Sequence, residues 1–216
     1  MAKVEIIGLA RSSYTRVVRM VCEEKGIDYD HVDTSPHSPE VNAIHPFGKV
    51  PVMRHGDFTL CESKAIAAYL DRGFPGPALM PADAKQAALA EQWISLVNTA
   101  MDATLIRTYV FAYVFPKTAD GKPNKPAIEA VAPAMQQQLG LLDQAVARTG
   151  HLVGDQFTLA DINVLPILYW VRHFPEGGEA IAACAHLSAY YDRHAARPSF
   201  KSTIPPPLPP RPPKPS

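Results

Sequence analysis

The sequence has no excess of charge of either sign, and this absence excludes two classes of partner. The 21 lysine and arginine side chains are balanced by 21 aspartate and glutamate side chains. Neither sign gathers into a long run, so the chain lacks the basic stripe by which proteins bind nucleic acid or an anionic membrane surface. We therefore expect a small-molecule partner, with no nucleic acid and no membrane.

Long apolar runs are missing as well. No window approaches the roughly 18 consecutive apolar residues that suggest a membrane-spanning helix. The N-terminus, MAKVEIIGLARSSY, has no apolar core followed by a small-residue cleavage site. These absences predict a soluble protein of the cytoplasm.

Cysteine is scarce. The three cysteines, Cys22, Cys61 and Cys184, are an odd number at wide spacing. This spacing matches neither a disulfide framework nor a zinc cluster. We expect each to be a reduced, partly buried thiol, and we expect no bound metal.

The first third of the chain alternates between strand-like and helix-like segments. Short strands are predicted at Lys3–Ile7, Ile27–Val32, Val50–Arg54 and Asp57–Leu60, and helices at Arg16–Lys25, Glu40–Ile44 and Ser63–Arg72. The resulting order, β-α-β-α-β-β-α, indicates a small mixed sheet covered by helices. It is the order of a thioredoxin-like domain.

After Phe74-Pro75-Gly76-Pro77 the strand-like runs stop and helical periodicity takes over. Helices are predicted at Ala84–Phe115, Ala127–Ala147, Leu159–His173 and Leu187–Ala196, and Gly177-Gly178 is expected to mark a break before another short helix. The fold class is therefore α/β followed by all-α. We divide the chain into a thioredoxin-like domain at 1–76, an all-helical C-terminal bundle at 84–203 and a proline-rich tail at 204–216.

The tail reads IPPPLPPRPPKPS and is predicted to be extended, because proline removes backbone donors and fixes φ. Pro206, Pro209 and Arg211 have the PxxPxR spacing that aromatic grooves bind. The alternative is a tail that is solvated or lies along the protein's own surface.

Three stretches carry a resemblance to a known family. They are HPFGKVPV at His45–Val52, CESKAIAAYL at Cys61–Leu70 and GDQFTLADINVLPIL at Gly154–Leu168. Together they resemble the cytosolic glutathione transferases, and RSSYTRVVRMVCEEKGIDYD, Arg11–Asp30, is similar to the serine-containing first turn of the phi and zeta branches. The resemblance covers both domains and omits only the tail. It implies a detoxifying enzyme that joins glutathione to a small hydrophobic electrophile, and a homodimer in which Phe47 is a contact.

The resemblance also implies where glutathione binds. A cis Val50-Pro51 bond would direct the backbone of Val50 at the ligand. Glu62 would receive the ligand's ammonium group, and Ser63 would donate to its γ-glutamyl carboxylate at a helix N-terminus, where anions are favoured. Taken alone, Pro51 could be a trans residue that begins an edge strand, and Ser63 a simple helix cap.

Two further residues are candidates for the glycyl carboxylate of glutathione. Lys49 stands where the family usually has glutamine, and its ammonium group would bind as a point charge. His37 lies in the loop TSPHSPE, where the alignment is loose, and the alternative for it is a solvated loop histidine. We interpret His45, where asparagine is typical, as structural.

Ser12 is the predicted catalytic residue. A thiol has an ordinary pKa of about 8.5, whereas the thiolate is the nucleophile. A donated hydroxyl and a helix N-terminus would stabilise the thiolate, which makes Ser12 an activator of the ligand's sulfur. Ser13 is the second candidate, and either serine could instead only cap the helix. Tyr14 could compete as donor, but we expect it to face the second substrate.

The second substrate is predicted to lie against a helix that carries Tyr109 and Tyr113, which alternate with Phe111 and Phe115. An aromatic wall suits a hydrophobic electrophile, although these aromatics could equally form the core of the bundle. In the same domain, Thr158 and Asp161 match a capping box, which stabilises a helix start and takes no part in catalysis.

Two other functions stay open. The zeta branch includes glutathione-dependent isomerases and usually reads SSC where this chain reads Ser12-Ser13-Tyr14. A non-catalytic glutathione-binding interaction module is the other alternative, with the tail as its partner motif. Reduction of peroxides would use the same Ser12 chemistry as the transferase.

Overall fold

The computed structural model describes residues 3–208 of the chain. Contacts divide it into two compact units. The first contains the residues up to Ala84 together with Ala195–Pro206, and the second contains Lys85–His194 with the described residues 207 and 208. None of the helices in this part of the chain has the length and apolar character needed to cross a membrane.

The first unit contains a mixed four-stranded sheet. Its strands are β1 Val4–Ile7, β2 Tyr29–Val32, β3 Val52–His55 and β4 Phe58–Cys61, in the order β2-β1-β3-β4. Strand β1 runs parallel to β2 and antiparallel to β3, and β3 is antiparallel to β4. This topology confirms the predicted thioredoxin-like domain.

The part of the first unit that precedes Ala84 also contains three helices: α1 Ser13–Lys25, α2 Pro39–Asn42 and α3 Ser63–Gly73. In α1, Val17, Val18 and Val21 are at most 1% exposed, as their helical spacing predicts. The helix begins three residues earlier than its apolar pattern suggested because Ser12 caps it. It ends at Gly26, whose φ of 67° is the left-handed conformation that glycine adopts without strain.

The second unit is all-helical, as predicted. A continuous helical run contains α4 Ala84–Leu96, a π-helix at Val97–Val110 and α5 Phe111–Val114, and it is followed by α6 Lys125–Val146, α7 Leu159–Arg172, α8 Pro175–Ala183 and α9 Ala185–Ala195. Residues five apart are hydrogen-bonded along the π-helix: the Arg107 side chain donates to the Asp102 carboxylate at 2.7 Å, and the Thr108 hydroxyl donates to the Ala103 carbonyl oxygen at 2.8 Å. This spacing fits the wider turn of a π-helix.

The expected break at Gly177-Gly178 is wrong, because both glycines lie inside α8. Pro175 begins that helix. A Cβ on Gly177 would collide with the Val171 carbonyl oxygen and lie 2.9 Å from Cε1 of Tyr109. The glycine therefore permits a close approach of three chain segments rather than ending a helix.

The capping box at the start of α7 is confirmed. Asp161 is fully buried, and its carboxylate accepts from the Thr158 N–H at 2.9 Å and from the Thr158 hydroxyl at 3.2 Å. It also accepts from the Leu152 N–H and from the Tyr190 hydroxyl, each at 3.0 Å. The residue thus joins the preceding loop, the helix start and α9.

The chain returns to the first unit after α9, through a short helix α10 at Pro198–Ser202 that the sequence did not predict. Arg16, at 1% exposure, donates to the Phe200 carbonyl oxygen at 2.9 Å, and its guanidinium carbon lies 4.0 Å from the centre of the Phe200 ring. Glu24 accepts from Arg197 at 2.6 Å and from the Ser199 hydroxyl. The division at 84–203 assigned this segment to the bundle, whereas these contacts place 195–206 in the first unit.

Of the proline-rich tail, residues 204–208 are described and have no regular secondary structure. Pro206 falls in this part. Pro209 and Arg211, the other two residues of the predicted PxxPxR motif, lie outside the described residues.

Candidate functional site

Three segments of the first unit meet at one edge of the sheet. The register places Ile7 at the end of β1 opposite Val52 at the start of β3, and Val52 opposite Cys61 at the end of β4. The loop after β1 leads to Ser12, the residues before β3 are Val50 and Pro51, and the residues after β4 are Glu62 and Ser63. The residues predicted to hold and activate glutathione are therefore neighbours.

Ser12 is the N-cap of α1, and its hydroxyl oxygen accepts from the Thr15 N–H at 3.3 Å. A hydroxyl has two acceptor lone pairs and one donor hydrogen, so capping leaves that hydrogen for another acceptor. The residue is half-buried. The capping role and the activating role are compatible.

Ser13 differs from Ser12 in exposure. It is the first residue of α1 and only 7% exposed. Tyr14 is half-buried in the same turn. Of the two serines, Ser12 is the more accessible.

The loop that carries Ser12 is held by β2. The Ala10 N–H donates to the Asp33 carboxylate at 2.8 Å, and the Gly8 carbonyl oxygen lies 2.9 Å from Nε2 of His31. Burial lowers the pKa of His31, which favours the neutral ring donating from Nε2. Our sequence interpretation missed Asp33, although an acidic residue directly after a predicted strand was visible there.

The Val50-Pro51 bond is cis, as the resemblance implied. Val50 precedes the strand ladder, which begins at Val52, so its backbone is not engaged in that ladder. A Cβ on Gly8 would lie 3.1 Å from Cβ of Val50 and 3.2 Å from Cα of Pro51. Gly8 thus lets the loop of Ser12 approach the turn closely.

Glu62 and Ser63 occupy the start of α3. Ser63 is the first residue of the helix and 8% exposed. Glu62, in the N-cap position, has a φ of 69° and makes no side-chain capping bond. Its side chain is 68% exposed and its carboxylate lies 3.4 Å from Nε2 of His45. The helix start therefore offers N–H groups and an exposed carboxylate side by side.

Lys49 and His37 lie on the two loops that flank α2, His37 before the helix and Lys49 after it. Lys49 is exposed directly before Val50, and its ammonium nitrogen lies 6.0 Å from the centre of the Phe47 ring. The His37 N–H donates to the Gly48 carbonyl oxygen at 2.8 Å, and its own carbonyl accepts from Asn42 at 2.9 Å. Both side chains are at the surface beside the predicted binding segment.

Tyr109 and Tyr113, predicted to line the second-substrate pocket, have different surroundings. Tyr109 is fully buried, with its hydroxyl 3.1 Å from the Glu176 carboxylate and 2.7 Å from the Gly177 N–H. It offers no surface to a substrate, which corrects the expectation for this residue. Tyr113 is half-buried, donates to Glu176 at 2.5 Å and lines a cavity of about 280 Å³ in the second unit with Ile128.

A cluster of His151, Asp161 and His194 also lies in the second unit, with one ligand-type atom from each within 4.8 Å of the others. Both oxygens of Asp161 already accept from donors that belong to the capping arrangement: Leu152 and Tyr190 on one oxygen, Thr158 on the other. A cation would have to displace those donors. The carboxylate fits a structural role.

Comparison with known proteins agrees with the fold of both units. The profile of the glutathione S-transferase N-terminal domain matches residues 6–78, and that of the C-terminal domain matches residues 102–198. Glutathione S-transferase 3 of Zea mays is 33% identical over 222 residues, covering 98% of this chain and 98% of that protein.

Solved structures agree in fold. The apo structure of glutathione S-transferase III has a TM-score of 0.82 at 30% identity and covers 95% of this chain and 100% of its own. The theta-class glutathione S-transferase of Xanthomonas axonopodis pv. citri, solved with glutathione bound, has a TM-score of 0.82 at 26% identity, with coverage of 96% and 100%. The chain belongs to the cytosolic glutathione S-transferase superfamily and is an enzyme of that kind.

Proposed function

We propose that this chain binds glutathione at the sheet edge formed by the loop of Ser12, the Val50-Pro51 turn and the start of α3, and that Ser12 activates its thiol. The observation that carries the proposal is the register, which brings Ile7, Val52 and Cys61 side by side. The relative solved with glutathione bound supports the choice of ligand.

The binding roles follow from the groups present. The backbone of Val50, outside the ladder, pairs with the cysteinyl part of the ligand. Ser63 and the N–H groups at the start of α3 bind the γ-glutamyl carboxylate, because a helix N-terminus favours an anion. Glu62 binds the ammonium group of the same residue. Lys49 and His37 bind the glycyl carboxylate from the two loops that flank α2.

Ser12 supplies the activation. Its hydroxyl hydrogen donates to the sulfur while its oxygen keeps the Thr15 N–H. Each pKa unit of depression requires about 1.4 kcal/mol of preference for the thiolate. A shift of two units is within reach of one charge-assisted hydrogen bond together with the N-terminus of α1.

The reaction is a nucleophilic attack. The thiol proton passes to solvent, the thiolate sulfur forms a bond to an electrophilic carbon or a peroxide oxygen, and the leaving group departs with the electron pair of the broken bond. A small electrophile with a hydrophobic body is the expected second substrate. Detoxification in the cytoplasm is the corresponding cellular role.

The test compares Ser12→Ala with Ser13→Ala, which remove the same atom from adjacent positions. Ser12→Ala is expected to return the pKa of bound glutathione toward about 8.5 and to lower kcat, with little change in glutathione affinity. Ser13→Ala is expected to leave that pKa unchanged. Thiolate absorbance titrated in the binary complex measures the effect, and a loss caused by Ser13→Ala alone would transfer the role to Ser13.

We also propose that the enzyme is a homodimer with Phe47 at the contact. Phe47 is a large apolar side chain that is 70% exposed, so its ring is accessible to a second subunit at the position where the resemblance implies a contact. Light scattering of wild type and Phe47→Ser measures the mass. A wild-type monomer, or a variant that stays fully dimeric at low concentration, would contradict this assignment.

A further inference from the structure

His45 is a buried imidazole beside an exposed carboxylate. It is 3% exposed, and its Nε2 lies 3.4 Å from Oε1 of Glu62. Its other nitrogen, Nδ1, accepts from the Phe47 N–H at 3.0 Å. Because Nδ1 is an acceptor, the ring proton belongs on Nε2. Nε2 faces Oε1 of Glu62 in a polar contact of 3.4 Å, which is longer than an ordinary hydrogen bond.

The turn around His45 fixes the ring in place. The His45 N–H donates to the Val41 carbonyl oxygen at 2.8 Å, and the His45 carbonyl accepts from the Gly48 N–H at 3.0 Å. Gly48 has a φ of 62°, which is the left-handed region that glycine favours. The backbone on both sides of the imidazole is therefore tied down.

Glu62 is a carboxylate held away from its ordinary local partner. In an N-cap position an acidic side chain usually accepts from N–H groups of the first turn. Glu62 makes no such bond, and its φ of 69° is unusual for a residue other than glycine. Its carboxylate instead lies beside His45, while most of the side chain stays accessible.

We propose that His45 is a positioning residue that aims the Glu62 carboxylate at the γ-glutamyl ammonium group of glutathione. This inference rests on the proposed function, which assigns that ammonium group to Glu62. A neutral donor orients the carboxylate without cancelling its charge, whereas a cationic residue in the same place would repel the ligand's ammonium group. The structural role expected for His45 thus extends into the binding site.

The matched variant is His45→Asn. An asparagine carbonyl can accept the N–H two residues ahead, as in an Asx turn, so the bond from Phe47 is kept. The shorter side chain does not extend to Glu62. This substitution separates the positioning role from the integrity of the turn, and thermal unfolding of the variant is expected to match that of wild type.

The discriminating ligand is glutathione without its α-amino group. For glutathione itself, His45→Asn is expected to raise KM about three- to tenfold, the worth of one hydrogen bond, with kcat unchanged. For the desamino analogue, wild type and variant are expected to have the same affinity. Glu62→Gln serves as the reference and should abolish the preference for glutathione over the analogue, with no further loss when His45→Asn is added.

The outcomes separate the two proposals. Equal weakening of both ligands by His45→Asn, or an unchanged KM for glutathione, overturns the positioning role alone. A Glu62→Gln variant that still prefers glutathione over the analogue, or a wild-type chain that binds neither ligand, overturns the proposed site and this inference with it.

Discussion

The guanidinium group of Arg16 lies over the ring of Phe200, with 4.0 Å between its central carbon and the ring centre, and donates to the carbonyl oxygen of the same residue at 2.9 Å. Helix α1, which presents Ser12 at its start, is thereby packed against a segment from the far end of the chain. Both residues are almost fully buried. The stability of α1 therefore depends on contacts that its own sequence neighbourhood does not contain.

Replacing Phe200 by alanine tests this dependence. The substitution removes a ring that is 2% exposed and leaves a cavity over Arg16, so the free energy of unfolding should fall by about 3–5 kcal/mol. Phe115→Ala is the control, because that ring is 60% exposed and surface changes are worth within about 0.5 kcal/mol. Urea denaturation measures both, and equal losses would show that burial of Phe200 does not contribute as described.

Gly8→Ala tests the close approach between the loop of Ser12 and the Val50-Pro51 turn. The added methyl group would lie 2.7 Å from the Thr15 hydroxyl oxygen and 3.1 Å from Cβ of Val50, so the two segments must separate. Affinity for glutathione should fall at least about tenfold, because a displacement of about 1 Å can cost that much and more.

The control for this change is Gly140→Ala in α6, where no heavy atom lies within 4 Å of the new Cβ. That variant should gain about 0.5–1 kcal/mol of stability and keep wild-type affinity. Isothermal titration with glutathione distinguishes them. A Gly8→Ala enzyme with wild-type affinity would mean that the loop and the turn are not coupled.

Asp161→Ala is expected to destabilise the second unit by more than the loss of an ordinary cap, which is about 0.5–2 kcal/mol. The carboxylate is fully buried, and its removal leaves the donors of Leu152, Thr158 and Tyr190 without their acceptor. Each buried donor left unsatisfied costs about 1–3 kcal/mol. Calorimetric unfolding measures the loss, while the pKa of glutathione bound to the folded variant should stay at its wild-type value.

Glu176 gives a pH prediction. Burial acts to raise its pKa, but hydrogen bonds from Tyr113, its own backbone and Tyr109 outweigh burial and lower it below the ordinary 4.5. A depressed carboxyl pKa contributes stability that is present above the unfolded pKa and lost as the pH falls through the folded one. Wild type should lose this contribution below about pH 4.5, and Glu176→Gln should lack that part of the acid transition. If the free energy of unfolding falls equally with decreasing pH in the two proteins, the prediction is wrong.

Much of the first unit could be predicted because its signals are local. Apolar spacing in Val17, Val18 and Val21 gave the buried face of α1, and the motif around Pro51 gave the cis bond through resemblance. The ends of elements were less accurate. The start of α1 is set by the Ser12 cap, which lies before the first apolar residue of the helical pattern.

The aromatic alternation from Tyr109 to Phe115 shows why spacing alone was insufficient in the second unit. The residues form two pairs four apart: Tyr109 and Tyr113 share Glu176, while the rings of Phe111 and Phe115 lie 5.0 Å apart. The π-helix, which contains Tyr109 and ends at Val110, changes the number of residues per turn, so a constant helical period misplaces Tyr109. A glycine can either end a helix or allow two segments to pack closely. Gly177 allows close packing, whereas the sequence pattern predicts a helix break there.

The contacts of α10 could not be predicted from local pattern, because Arg16 and Phe200 are 184 positions apart. A basic side chain in the first turn of a helix ordinarily suggests solvent. Only the fold shows that the residue is covered.

This separation also orders events during synthesis. Translation delivers the sheet, α1 and α3 first, then the entire second unit, and only afterwards the residues 195–206 that cover Arg16. When the first 84 residues have been synthesised, Arg16 lies on a surface that the finished fold covers. More than a hundred further residues, Lys85–His194, are made before the segment 195–206 that covers it. A product released early, or clipped before Arg197, would retain every residue of the proposed glutathione site and still lack the packing that holds the helix of Ser12.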